Sequence, residues 1–115
     1  MDPRRNYLDT TDAATELISR VKPVQLDGPG LGTWDLRSLI GHTSRAMSTV
    51  VTYLNRPVSA VTCADAVAYY VWVAQTPDAD SQIAGRGVRA GTSLGEDVLA
   101  GFAAQAREVR RALDA

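Results

Sequence analysis

The sequence predicts an all-α fold, a bundle of amphipathic helices around one core. Three observations carry that expectation. Apolar residues recur at steps of three and four along the first, second and last long segments. Proline and glycine punctuate the chain between those segments. One apolar run could equally be a strand, but no second segment offers it a convincing partner, and a lone strand cannot satisfy its own backbone. The length of 115 residues fits a single domain, residues 1–115, long enough to bury a core without disulfides or metals.

The first helix is expected to start at Asp2-Pro3, because aspartate caps well and proline is tolerated at the first helical position. Tyr7, Thr11, Ala14, Ile18 and Val21 form its inner face, widened by Thr10 and Leu17. Arg4, Asp9, Asp12, Glu16 and Arg20 fall mostly elsewhere, and Pro23 ends the helix. Gln25 to Gly32 reads as a loop, broken by Gly28-Pro29-Gly30 and Gly32. Thr33 looks like the cap of a second helix. There Leu36, Leu39, Ile40, Thr43, Met47, Val50, Val51 and Leu54 make a stripe of about five turns, bounded by Pro57.

Thr62 with Asp65 resembles a capping arrangement for the segment Ala64 to Gln75. From Ala66 to Ala74 every residue is apolar, so periodicity cannot separate helix from strand. The β-branched and aromatic content favours a strand, but the missing partner decides for a helix. Thr76-Pro77-Asp78 is a turn or the start of the next helix. The signal from Ala79 to Ser93 is weak, with Gly85, Gly87 and Gly91 inside it, and predicts a poorly packed helix ended by Gly95. The last helix runs from about Glu96 to Leu113, with Leu99, Phe102, Ala103, Ala106, Val109 and Leu113 on one face. Arg107, Arg110 and Arg111 sit near its C-terminal end, where positive charge suits the helix dipole. A helix apolar on all sides needs cover on all sides, which a bundle this small supplies poorly. Residues Ala66 to Ala74 are therefore an expected homo-oligomer interface.

Composition excludes several classes. Net charge is -1, which makes no electrostatic case for nucleic acid or an anionic membrane surface. The nine-residue run Ala66 to Ala74 is too short to span a bilayer, and the N-terminus has no apolar signal region. Cys63 is the single cysteine, which suits a reducing cytoplasm. It reads as a reduced cysteine at a helix start rather than a nucleophile.

Few residues offer chemistry. His42 is the single histidine, at the flank of the second helix's stripe, and its neighbours one turn away include no usual metal ligand. Read alone it is a structural or surface residue, with a ligand or acid–base role as the alternative. The carboxylate pairs Asp9/Asp12 and Glu96/Asp97 are explained by helix dipoles and solubility. No serine elbow, Walker lysine or basic–aromatic stacking surface is present.

The stretch Trp34-Asp35-Leu36-Arg37-Ser38-Leu39-Ile40-Gly41-His42-Thr43, after the glycine-rich loop Gly28 to Gly32, resembles the signature of the mycothiol-dependent maleylpyruvate isomerase N-terminal domain family. That family belongs to the DinB-like superfamily. The start of the chain, Tyr7 onward with Asp12-Ala13-Ala14, and the stretch Gly85 to Gly91 are also similar to it. The resemblance implies a DinB-like helical bundle, His42 as first ligand of a divalent metal (zinc or nickel), and chemistry on mycothiol, the small thiol of actinobacteria. The alanine-, arginine- and glycine-rich composition fits such a genome loosely.

The family completes its site with a later ExxxH helix, and this sequence has neither ExxxH nor a second histidine. The expected bundle is thus incomplete or completed by oligomerisation, and the chain is either a truncated or degenerate homologue or a piece of a longer product. The leading expectation is a DinB-like protein, non-catalytic alone and self-associating, with His42 a relic ligand or one shared across a dimer axis. The alternatives are a metal-dependent, mycothiol-linked isomerase or thiol transferase, and a regulatory partner of a full-length homologue.

Overall fold

Four of the helices begin at an aspartate whose side chain takes up a free amide of the first turn. The computed structural model describes residues 2–114. In order they form α1 (Pro3–Ser19), a 3-10 turn (Pro23–Gln25), α2 (Leu36–Leu54), α3 (Ala66–Ala74), α4 (Ala79–Ser93) and α5 (Val98–Asp114). The all-α expectation holds, including the helical assignment of Ala66–Ala74. Asp2 accepts from the Arg4 amide at 3.0 Å, with Pro3 at the first helical position, as expected.

Two other caps were misplaced by the sequence. Asp35, not Thr33, opens α2, accepting from the Ser38 amide at 2.8 Å. The preceding loop is closed by an antiparallel bridge between Pro29 and Asp35 and by a Gly30 amide that donates to Trp34 O at 3.0 Å. The backbone is therefore committed to that closure until Asp35. Likewise Asp65 itself, not Thr62, caps α3 through the Ala68 amide at 2.8 Å. Asp97 accepts from the Ala100 amide at 3.0 Å at the start of α5. Between α3 and α4, Asp78 turns through a left-handed conformation with φ 57°.

Helices α1, α2, α4 and α5 make the bundle. Helix α2 packs on both α4 and α5, and α1 packs on α5. The core is Ile18, Ile40, Met47, Val98, Phe102 and Val109, with Leu26 and Leu94 added from the connections. Leu17 was expected to widen the inner face of α1 but is 66% exposed. Two polar contacts tie α1 down: the Tyr7 hydroxyl donates to Ala46 O at 2.6 Å, and Arg110 pairs with Asp12 at 2.6 Å.

Helix α4 corrects the expectation of poor packing. It shares the most extensive interface in the chain with α2, and its glycines are the reason. A Cβ on Gly91 would lie 2.7 Å from Arg37 O, and one on Gly41 would fall inside the backbone of Gly91. The two helices cross with backbone nearly on backbone, which only residues without side chains permit.

Helix α3 is the exception. It shares no packed interface with another helix, and none of its residues is buried. The radius of gyration, 15.3 Å, exceeds the roughly 13 Å of a compact domain near this size, consistent with an arm standing off the bundle. Among the described residues no helix is long and apolar enough to cross a membrane.

Candidate functional site

Three features could carry function: the Trp34–His42 corner, the α3 arm and a polar cleft behind α2. The corner is assembled from distant parts of the sequence. The closed loop delivers Trp34 to the groove between α2 and α4. Its indole N–H donates to Ala84 O at 2.9 Å, and a Cβ on Gly87 would lie 2.7 Å from the ring. The glycine thus makes room for the tryptophan. His42, exposed on α2, sets its imidazole against that indole, with ring centroids 4.7 Å apart and planes inclined by 34°. Two of the stretches singled out by resemblance, Trp34 to Thr43 and Gly85 to Gly91, therefore pack on each other.

Within one chain, His42 has no partners to complete a metal site. Among the described residues no group of three His, Cys, Asp or Glu side chains stands close enough together to hold one. A single imidazole on an aromatic face leaves a tetrahedral ion short of ligands. Three of the paired carboxylates are engaged elsewhere: Asp12 pairs with Arg110, Asp9 lies 3.9 Å from Arg5, and Asp97 caps α5. Cys63 is exposed in the connection before α3 rather than at the helix start itself.

The α3 arm carries Val67, Tyr69, Tyr70, Val71 and Trp72, all about half exposed or more, with Val67 at 72% and Tyr70 at 69%. Tyr69 is the hub of its aromatic cluster, edge-on to Tyr70 at 5.5 Å and 6.3 Å from Trp72. At the usual 150–250 Å² per aromatic side chain, these three rings alone present on the order of 350 Å². Leu54, Val58 and Val61 in the preceding stretch are also exposed. Clustered apolar exposure of this kind on one helix is what marks an interaction surface, unlike scattered single residues.

The cleft was not foreseen from the sequence. It lies between α2, α4 and α5 and gathers Arg45, Arg56, Arg86 and Arg89. The signal existed: Arg45, Ser48, Thr49, Thr52 and Arg56 form a polar stripe at helical spacing, beside the apolar one on α2. Arg86 and Arg89 are one turn apart on α4. What could not be read was that α4 would bring its pair alongside that stripe.

Compared with family models, with curated proteins and with solved structures, the chain matches none of them.

Proposed function

We propose that this chain is a non-catalytic, DinB-like helical protein, akin to the metal-binding domains of mycothiol-dependent maleylpyruvate isomerases, that works as a self-associated scaffold. The observation that carries the reading is α3: nine consecutive apolar residues form a helix that the chain's own bundle leaves bare. Such a surface in water is strongly unfavourable unless covered. A second copy is the occupant this surface suits. The helix bears no charged residue to select a different partner, and it is apolar around its circumference, so a two-fold pairing buries the same patch twice.

The packing of Trp34 and His42 on the Gly85–Gly91 stretch supports the DinB-like part of the reading, because the resemblance rests on those segments. His42 then serves as a packing residue on Trp34. The exposed thiol of Cys63 suits a reducing cytoplasm.

Native mass spectrometry of protein purified without chelator reads assembly and bound metal together. A metal-free dimer is expected. A monomer at every concentration would overturn the scaffold reading, and one tightly held metal per chain or per dimer would overturn its non-catalytic part.

A further inference from the structure

The cleft between α2, α4 and α5 has a volume of about 390 Å³, within the range of small-molecule sites. Four arginines line it, and among the described residues no aspartate or glutamate does. Elsewhere Arg5, Arg20, Arg37 and Arg110 each find a carboxylate, whereas none of the four cleft arginines is in an ion pair among the described residues. Arg86 donates to Gln82 Oε1 at 3.2 Å, and Arg56 lies over the Tyr53 ring. In a chain of net charge -1, four guanidinium groups without a carboxylate partner around one hollow are a local concentration of positive charge that suits an anion.

The walls add neutral hydrogen-bonding groups. Ser48, Thr49 and Thr52 present hydroxyls that make no hydrogen bond within the chain among the described residues. Gln105 lines the cleft from α5. Guanidinium forks match the paired oxygens of a phosphate, and side-chain hydroxyls, each donor and acceptor, match a ligand that has hydroxyl groups of its own.

We propose that this cleft binds a small hydroxyl-bearing phosphate ester, with the phosphate held among Arg45, Arg56, Arg86 and Arg89 and the ligand's hydroxyls meeting Ser48, Thr49 and Thr52. The site is lined by α2, α4, α5 and Arg56 just after α2, with no residue of α3, so it stands or falls separately from self-association through α3.

Isothermal titration calorimetry with inorganic phosphate, glucose 6-phosphate and glucose tests it. Glucose 6-phosphate is expected to bind saturably at one per chain, more tightly than phosphate, with no binding of glucose. Arg45→Gln and Arg89→Gln each weaken binding by about tenfold or more, while Arg107→Gln, outside the cleft, leaves it unchanged. The arginine variants retain the parent melting curve, since their side chains hold no ion pair in the fold. Absence of saturable phosphate-ester binding, equal weakening by Arg107→Gln, or phosphate binding as tightly as its ester would each overturn the proposal.

Discussion

Replacing Gly91 by alanine sets two properties of α4 against each other. Helix propensity alone makes glycine to alanine worth about 1 kcal/mol of added stability inside a helix. At Gly91 the new methyl would lie 2.7 Å from Arg37 O, 3.0 Å from Arg37 C and 3.2 Å from Ser38 Cα. All three are backbone atoms of α2, so no rotamer change relieves the clash and the helices must part. Overpacking of this kind costs about 1–3 kcal/mol, which offsets or exceeds the propensity gain. Gly85 is the internal control on the same helix. Its Cβ would meet only the mobile end of Arg89, at 3.1 Å, so the propensity gain survives. Gly85→Ala should therefore melt above the parent and Gly91→Ala below Gly85→Ala, by roughly 4–8 °C for each kcal/mol between them. Thermal melts by far-UV circular dichroism at matched protein concentration measure this, since association shifts apparent stability. If Gly91→Ala melts as high as Gly85→Ala, the backbone-on-backbone crossing of α2 and α4 is wrong.

Other consequences are as direct. Trp34→Phe keeps the ring against Gly87 but loses the indole bond to Ala84 O, and should cost about 1 kcal/mol in urea unfolding; no change would mean that the bond is not formed in solution. Phe102→Ala removes a core ring that is 1% exposed and should cost about 3–5 kcal/mol, enough to threaten folding altogether; a small loss in the same assay would contradict its central place. Hydrogen bonds from the Ser38 side chain and amide hold the Asp35 carboxyl below the usual carboxylate range. Its folded pKa is thus depressed, so the cap's charge-dependent contribution is full above the ordinary carboxylate range and fades as pH falls through the folded value. Asp35→Ala should cost about 1 kcal/mol at neutral pH, with the gap to the parent narrowing in acid; a gap that holds constant or widens would refute the cap.

The helices were legible because their information is local. The stripes Leu36–Val51 and Leu99–Leu113 point inward at helical spacing, with the expected end of the first, Leu54, left 57% exposed, and Asp2-Pro3 is a start signal in two residues. Thr33 and Thr62 were misread because they are acceptable caps in isolation, and only the closed loop before α2 shows why Asp35 takes that role. Glycines in α4 looked like weak helix, since their value lies in how near another backbone comes, which no spacing within α4 records. Leu26, Leu94 and Val98 escaped the core expectation because they lie in connections or at a helix start, outside any periodic stripe. The bare apolar character of α3 was plain in the sequence. The arginine cleft was not, because it depends on the register of α4 against α2.

Sedimentation equilibrium of the parent beside a Tyr70→Glu/Trp72→Glu variant tests the central claim most directly. Both substituted side chains are exposed in the single chain, so the variant should fold with an unchanged circular dichroism spectrum. The account predicts a parent of twice the chain mass and a variant of single mass. A parent that stays monomeric across the concentration range, or a variant that remains a dimer, would contradict it.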